Sequence, residues 1–214
     1  MISESHLQVT KTARVFFAGN AADVEVDTAV IVLHGYGMLP SYFLRKFEPL
    51  SSDKWLFVAP EGLHRFYTQG SSGRVGASWM TKEDRLTDIA DNNKYLDQIM
   101  DIPAVAGAKK KVLLGFSQGT ATAVRYYCQS SIQFDQVILW AGVFPHDLSL
   151  PENVTRLNET ALEIVVGKQD EYLTSDAVLQ VSDLLKEAGV KCNVTWFEGT
   201  HVIDGETLIK VLNG

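Results

Sequence analysis

One pentapeptide stands out for its chemistry: Gly115-Phe116-Ser117-Gln118-Gly119, a G-x-S-x-G. It follows the apolar run Val112-Leu113-Leu114 and precedes an Ala-rich, Pro-free stretch over 118–128. A serine at a sharp strand-to-helix turn needs small neighbours, because the chain bends there and the helix packs back on the strand. Such a turn also sets the Gln118 N–H at a helix N-terminus beside the serine oxygen, where it can stabilise a developing oxyanion. The plain alternative is an ordinary turn with a capping serine.

A serine hydroxyl is a weak nucleophile at neutral pH and needs a base. The histidines are His6, His34, His64, His146 and His201. For a serine on a strand-to-helix turn the expected chain order is nucleophile, acid, histidine. Only His146 and His201 follow Ser117. His201 lies in Glu198-Gly199-Thr200-His201, after the last apolar run, and is the expected base; His146 reads as a surface loop histidine. The acid must hold the imidazole in one tautomer and stabilise the imidazolium. Asp170, just past Val166-Gly167-Lys168-Gln169, is the first choice, with a helix cap as its plain alternative. Glu171 and Asp176 are nearby rivals, and Asp147 is a weaker one.

A second oxyanion donor is expected from an early strand-to-loop junction. His34-Gly35-Tyr36-Gly37 follows Val30-Ile31-Val32-Leu33, and its glycines permit a tight turn. The Tyr36 N–H is the first choice, with Met38 as the alternative. His34 precedes Ser117, against the expected order, and reads as a hydrogen-bonding residue that shapes the loop.

The elements that must position these groups are short and regular. Apolar runs occur at Ala29-Val30-Ile31-Val32-Leu33, Trp55-Leu56-Phe57-Val58-Ala59, Val112-Leu113-Leu114, Val137-Ile138-Leu139-Trp140, Leu162-Glu163-Ile164-Val165-Val166 and Asn193-Val194-Thr195-Trp196-Phe197. Runs of this kind, apolar on both faces, read as buried parallel strands. Helices are expected over 87–100, 118–128, 175–188 and 205–212, with Gly189 as a stop for the third. Strands alternating with helices imply an α/β domain with a mostly parallel sheet covered on both faces. Residues 7–17 are expected to form an edge strand or hairpin. No break divides the chain, so residues 1–214 read as one domain.

Taken in order, Leu33-His34-Gly35-Tyr36-Gly37, Gly115-Phe116-Ser117-Gln118-Gly119, Gly167-Lys168-Gln169-Asp170 and Gly199-Thr200-His201 resemble the motifs of the α/β-hydrolase superfamily. GFSQG behind LHGxG resembles, more narrowly, the phospholipase/carboxylesterase group, which includes the acyl-protein thioesterases. The similarity extends to Ala59-Pro60-Glu61-Gly62 and Ser78-Trp79. The resemblance implies the α/β-hydrolase fold without a large lid, and a triad of Ser117, Asp170 and His201. It also implies an oxyanion hole from the N–H groups of Tyr36 and Gln118. Met38, Trp79, Met80 and Phe144 are expected, from position, to line the substrate pocket. The chain departs from the group at Thr120, at Trp140-Ala141-Gly142, at Met80 and at Glu171-Tyr172-Leu173-Thr174.

These residues lead to a serine hydrolase that cleaves carboxylic esters or thioesters through an acyl-enzyme, on a small or acyl-bearing substrate. No metal or organic cofactor is expected. A non-catalytic binding protein on the same fold is one alternative. An acyltransferase or perhydrolase using the same triad is another. Composition narrows the partners: 26 acidic against 19 basic side chains give a net charge of −7, which argues against nucleic acid and anionic membranes. Lys109-Lys110-Lys111 is the only basic run and is too short for a binding patch. No apolar window is long enough to span a membrane, and the N-terminus carries no secretory pattern. The two cysteines, Cys128 and Cys192, show no metal-binding spacing. A reducing, cytoplasmic setting is expected, and an exposed face near the pocket could pair two copies as a homodimer.

Overall fold

In the computed structural model, the described residues are 1–19, 21, 26–52, 54–142 and 144–213. The chain runs β1 (Val15–Ala18), β2 (Thr28–Leu33), α1 (Pro40–Phe43), β3 (Trp55–Pro60), β4 (His64–Gln69), β5 (Ser72–Ser78), α2 (Arg85–Met100) and α3 (Pro103–Ala106). It continues with β6 (Lys110–Phe116), α4 (Gln118–Gln129), β7 (Gln136–Trp140), α5 (Leu150–Leu157), β8 (Ala161–Gly167), α6 (Ser175–Glu187), β9 (Cys192–Phe197) and α7 (Gly205–Asn213). Seven strands form one sheet in the order β1-β3-β2-β6-β7-β8-β9. All neighbours are parallel except β1, which runs antiparallel on β3 at the edge. This is a mostly parallel α/β sheet, as the resemblance to the α/β-hydrolases implies, and no large additional domain is present among the described residues.

The sheet is double-faced because its strands alternate between two cores. Ala29, Ile31, Leu33, Leu113, Val137, Leu139, Leu162, Ile164 and Val166 pack on the face covered by α2 to α6. Val30, Val32, Val112, Leu114, Phe116, Ile138, Trp140 and Val165 pack on the opposite face, against Phe43 of α1 and Leu208 and Val211 of α7. Helix α6 ends as its sequence suggests: Gly189 has φ +84°, and the Val190 N–H bonds the Leu185 carbonyl at 2.8 Å, a glycine-terminated helix end.

Two regions differ from expectation. Only Val15–Ala18 joins the sheet at its N-terminal edge, while residues 1–14 form neither helix nor strand. They are held by side chains and carbonyls instead: the Arg14 carbonyl accepts from the Glu61 N–H at 3.0 Å and from the Tyr95 hydroxyl at 3.1 Å. The sequence also does not announce the hairpin β4–β5. Most of β4 is exposed, so no alternation of apolar residues marks it.

The order of the strands fixes where a site can form. After β2 the chain first adds β3 on one side and later β6 on the other. Leu33 pairs with Gly115, so β2 and β6 end side by side. Ligand sites in open α/β sheets lie beyond the carboxyl ends of the strands at such a reversal. Residues 34–38 and Ser117 sit at this point.

Candidate active site

Ser117 occupies the turn between β6 and α4 with φ 53° and ψ −116°, a conformation that costs a residue with a Cβ on the order of 1–3 kcal/mol. The surrounding structure enforces it. The Ser117 N–H bonds the Trp140 carbonyl at the end of β7 at 2.9 Å, and the Ser117 carbonyl accepts from the Thr120 N–H at 3.0 Å. The flanking glycines leave room for the turn: a Cβ on Gly115 would collide with Gly119 backbone, and one on Gly119 with the carbonyl of Leu33. Thr120, fully buried, donates its hydroxyl to the Gly115 carbonyl at 3.1 Å.

His201 and Asp170 meet from two loops. His201 Nδ1 lies 2.8 Å from Asp170 Oδ2, and the aspartate side chain is wholly buried. A carboxylate only accepts, so the proton sits on Nδ1 and the Nε2 lone pair is left free. The other carboxylate oxygen, Oδ1, accepts from the Tyr172 and Leu173 N–H groups at 2.9 and 3.0 Å. The imidazole lies between Phe116 and Tyr172, with ring centroids at 4.9 and 4.8 Å. Asp170 does not cap α6, because Thr174 does so by accepting from the Ala177 N–H.

The rival residues lie elsewhere. Glu171, Asp176 and His146 are exposed. Asp147 is held by Arg125 at 2.7 Å and by Arg85 at 3.1 Å, with Arg125 the main cause that lowers its pKa. His6 pairs with Asp84 and His64 with Asp88, at 2.8 and 2.9 Å.

Ser117 and His201 line one cavity of about 600 Å³, shared with Gly35, Tyr36, Met38, Phe43, Lys46, Phe116, Glu171, Tyr172, Val202 and Ile203. No hydrogen bond joins the two side chains. A serine and histidine that act together are often loosely placed before substrate binds. Residues 34–38 bend toward the same cavity. There the Met38 N–H bonds the Gly35 carbonyl at 3.2 Å and the Gly37 N–H bonds the Ala77 carbonyl at 2.9 Å. Both donors are thereby used. Among the described residues no acceptor takes the Tyr36 N–H or the Gln118 N–H. The Gln118 side chain turns away from the cavity. Its amide nitrogen donates to the Met80 carbonyl at 2.9 Å, and its oxygen accepts from the Trp79 N–H at 3.2 Å.

Of the four side chains expected to line the pocket, Met38 does so. Trp79 is fully buried under the loop and donates its indole N–H to the His34 carbonyl at 2.8 Å. Phe144 is packed in the core on the helical face, and Met80 turns its sulfur toward Arg125. These three do not line this cavity, because their burial and contacts hold them behind its wall. Phe43, Lys46 and Tyr172 take the wall instead; Tyr172 lies in the loop where the sequence departs from the group, whereas nothing in the sequence marks Phe43 or Lys46. Phe43 and Lys46 belong to a Pro-initiated helical turn too short to leave a periodic signal. Among the described residues, three side chains able to hold a metal come together at Glu4, His6 and Asp84. All are exposed, and none lines this cavity.

His34 is structural. Its Nε2 accepts from the Gly62 N–H at 2.9 Å, so Nδ1 carries the proton and donates to the Gly35 carbonyl at 2.8 Å. Burial is the largest cause that pushes its pKa down, to about 4. The unfolded chain binds this proton near pH 6.5, whereas the folded chain resists it until about 4. Stability from His34 is therefore whole above pH 6.5 and is lost as pH falls from 6.5 toward 4. The full loss is roughly 3 kcal/mol. Melting curves should show Tm dropping across this window, with the His34 ring still neutral by NMR at pH 5. A His34 that titrates near pH 6.5 would contradict this account.

No helix among the described residues is long and apolar enough to cross a membrane. A sequence model of the family described as Phospholipase/Carboxylesterase matches residues 18–213. Solved structures share the fold at low identity. Acyl-protein thioesterase 2 of Zea mays superposes with a TM-score of 0.72 at 17% identity, covering 94% of this chain and 97% of that one. A carboxylesterase from Mesorhizobium loti gives 0.72 at 15% identity, with 94% of each chain covered. Esterase PE8 gives 0.71 at 18%, covering 95% of this chain and 99% of the other. No curated protein matches the chain in sequence.

Proposed function

The chain belongs to the phospholipase/carboxylesterase family, and from that premise we propose that it hydrolyses a carboxylic ester or thioester with Ser117, His201 and Asp170. The observation that carries this reading is the 2.8 Å pair of His201 Nδ1 and Asp170 Oδ2, with His201 lining the same cavity as the strained Ser117. Ser117 Oγ attacks the acyl carbonyl while His201 Nε2 takes its proton. The carbonyl oxygen becomes an oxyanion held by the Tyr36 and Gln118 N–H groups. The tetrahedral intermediate collapses, and the imidazolium gives the proton to the departing alcohol or thiol. Water then enters, loses a proton to His201 and attacks the acyl-serine. A second oxyanion forms in the same place, and its collapse returns the proton to Ser117 and releases the acid. Asp170 holds the imidazole in the required tautomer and balances its positive charge. Gly35 supports the geometry, since a Cβ there would press on Ser117, Phe116 and Met38 at 3.2 Å.

A fluorophosphonate probe tests the reading directly, because it needs an activated serine and an oxyanion hole but little acyl selectivity. Mass spectrometry should find one adduct per chain, on Ser117, and none in Ser117→Ala. Folded wild-type protein that takes up no probe would overturn the assignment and favour a binding protein on a hydrolase scaffold.

A further inference from the structure

The cavity at Ser117 is apolar over most of its wall, from Met38, Phe43, Phe116, Val202 and Ile203. Two charged side chains outside the proposed triad also reach it, Lys46 and Glu171. They come from different parts of the chain. Glu171 follows Asp170 in the loop before α6, whereas Lys46 ends the 3₁₀ turn Leu44–Lys46 that continues α1. No ion pair joins them, and among the described residues no carboxylate pairs with the Lys46 ammonium.

The turn that carries Lys46 is anchored on both sides. Phe43 and Phe47 are buried beneath it, with their rings packed edge to face at 5.2 Å. The neighbouring Arg45 lies over the Tyr42 ring at 4.9 Å, so the two adjacent cations are set apart. Lys46 is thus an exposed cation carried by an anchored turn at the rim of an apolar cavity. An anion bound there is less screened than one in open water, since the cavity wall excludes solvent on one side.

We propose that Lys46 is a specificity-determining residue, and that the substrate is an ester or thioester bearing a carboxylate or phosphate that reaches it. This rests on the serine-hydrolase reading above. Such a charge acts on ground state and transition state alike, because it lies away from the reacting carbonyl. Its loss therefore raises KM more than it lowers kcat. Glu171 has the opposite sign and opposes the same anion.

The experiment compares three activated esters at low ionic strength: neutral 4-nitrophenyl butyrate, 4-nitrophenyl hydrogen glutarate with its anion on the acyl part, and 3-carboxy-4-nitrophenyl butyrate with its anion on the leaving group. The readout is the ratio of kcat/KM for each anionic ester to that for the neutral one. In Lys46→Ala the ratio should fall about fivefold for one anionic ester, through KM, and further in Lys46→Glu. In Glu171→Gln it should rise, and added salt should flatten all three effects. The ester that responds identifies whether the anion belongs to the acyl part or to the leaving group. Ratios that stay constant across Lys46→Ala and Lys46→Glu for both anionic esters, while the esters are turned over, would overturn the role of Lys46 alone. Absence of both turnover and fluorophosphonate labelling in the wild type would overturn the serine-hydrolase reading itself, and this inference with it.

Discussion

Asp170→Asn should lower kcat/KM by about 10⁴ at neutral pH. The geometry gives the reason. One carboxylate oxygen accepts from two backbone N–H groups, of Tyr172 and Leu173. In the variant the amide oxygen must stay there, because turning the NH₂ toward those donors would set donor against donor. The NH₂ then faces His201 Nδ1, which has to become an acceptor. The ring proton moves to Nε2, and the nitrogen nearest Ser117 can no longer take a proton. No neighbouring acid can substitute, since Glu171 and Asp176 are exposed and Asp147 is held by two arginines. Steady-state kinetics on an activated ester, with circular dichroism to verify folding, measures the effect. Activity within tenfold of wild type would remove Asp170 from the proposed triad.

Gly119→Ala should damage both the fold and the reaction. A Cβ at this position falls on the Leu33 carbonyl, with its carbon at 2.7 Å and the His34 carbonyl oxygen at 2.8 Å. These are backbone atoms at the end of a central strand and cannot rotate aside. Nor can the strand end shift freely, because the His34 carbonyl already accepts the Trp79 indole N–H. Overpacking of this kind costs about 3 kcal/mol, which for a chain of this length lowers Tm by roughly 6–12 °C. Relief by moving residues 33–36 displaces the Tyr36 N–H as well, so the folded fraction should label more slowly with fluorophosphonate. Scanning calorimetry and labelling rates report the two effects separately, and an unchanged Tm would show that the close packing of α4 on β2 is not needed.

The parts of the molecule that could be read from the sequence are those whose signal is local. Strands β2, β6, β7 and β8 are apolar on both faces because each contributes alternately to two cores, and an unbroken apolar run is the mark of that. The nucleophile turn is legible because its small residues must be small. The meeting of Asp170 with His201 is not local. Asp170 and His201 are 31 residues apart and meet only because β8 and β9 are neighbours. Their order could be anticipated, and their 2.8 Å contact could not. The pocket wall was the least legible part. Trp79 and Phe144 have the character of pocket residues, yet their burial is decided by hydrogen bonding and packing behind the loop. The exposed hairpin left no pattern at all, since both its faces lack a continuous apolar stripe.

Met38 joins that hairpin to the cavity. Its side chain forms part of the wall, its carbonyl accepts from the Ala77 N–H at 3.1 Å, and it stands two residues from the Tyr36 N–H. The hairpin is also tied to the nucleophile turn, through the Gln118 amide bonded to Ser78 and Trp79. In the proposed reaction, the parts that select a substrate and the parts that set the rate are therefore built from the same few residues. On the proposed mechanism, reshaping the cavity at Met38 shifts the Tyr36 oxyanion donor with it. On the same mechanism, substitutions at Met38 should change substrate range and turnover together.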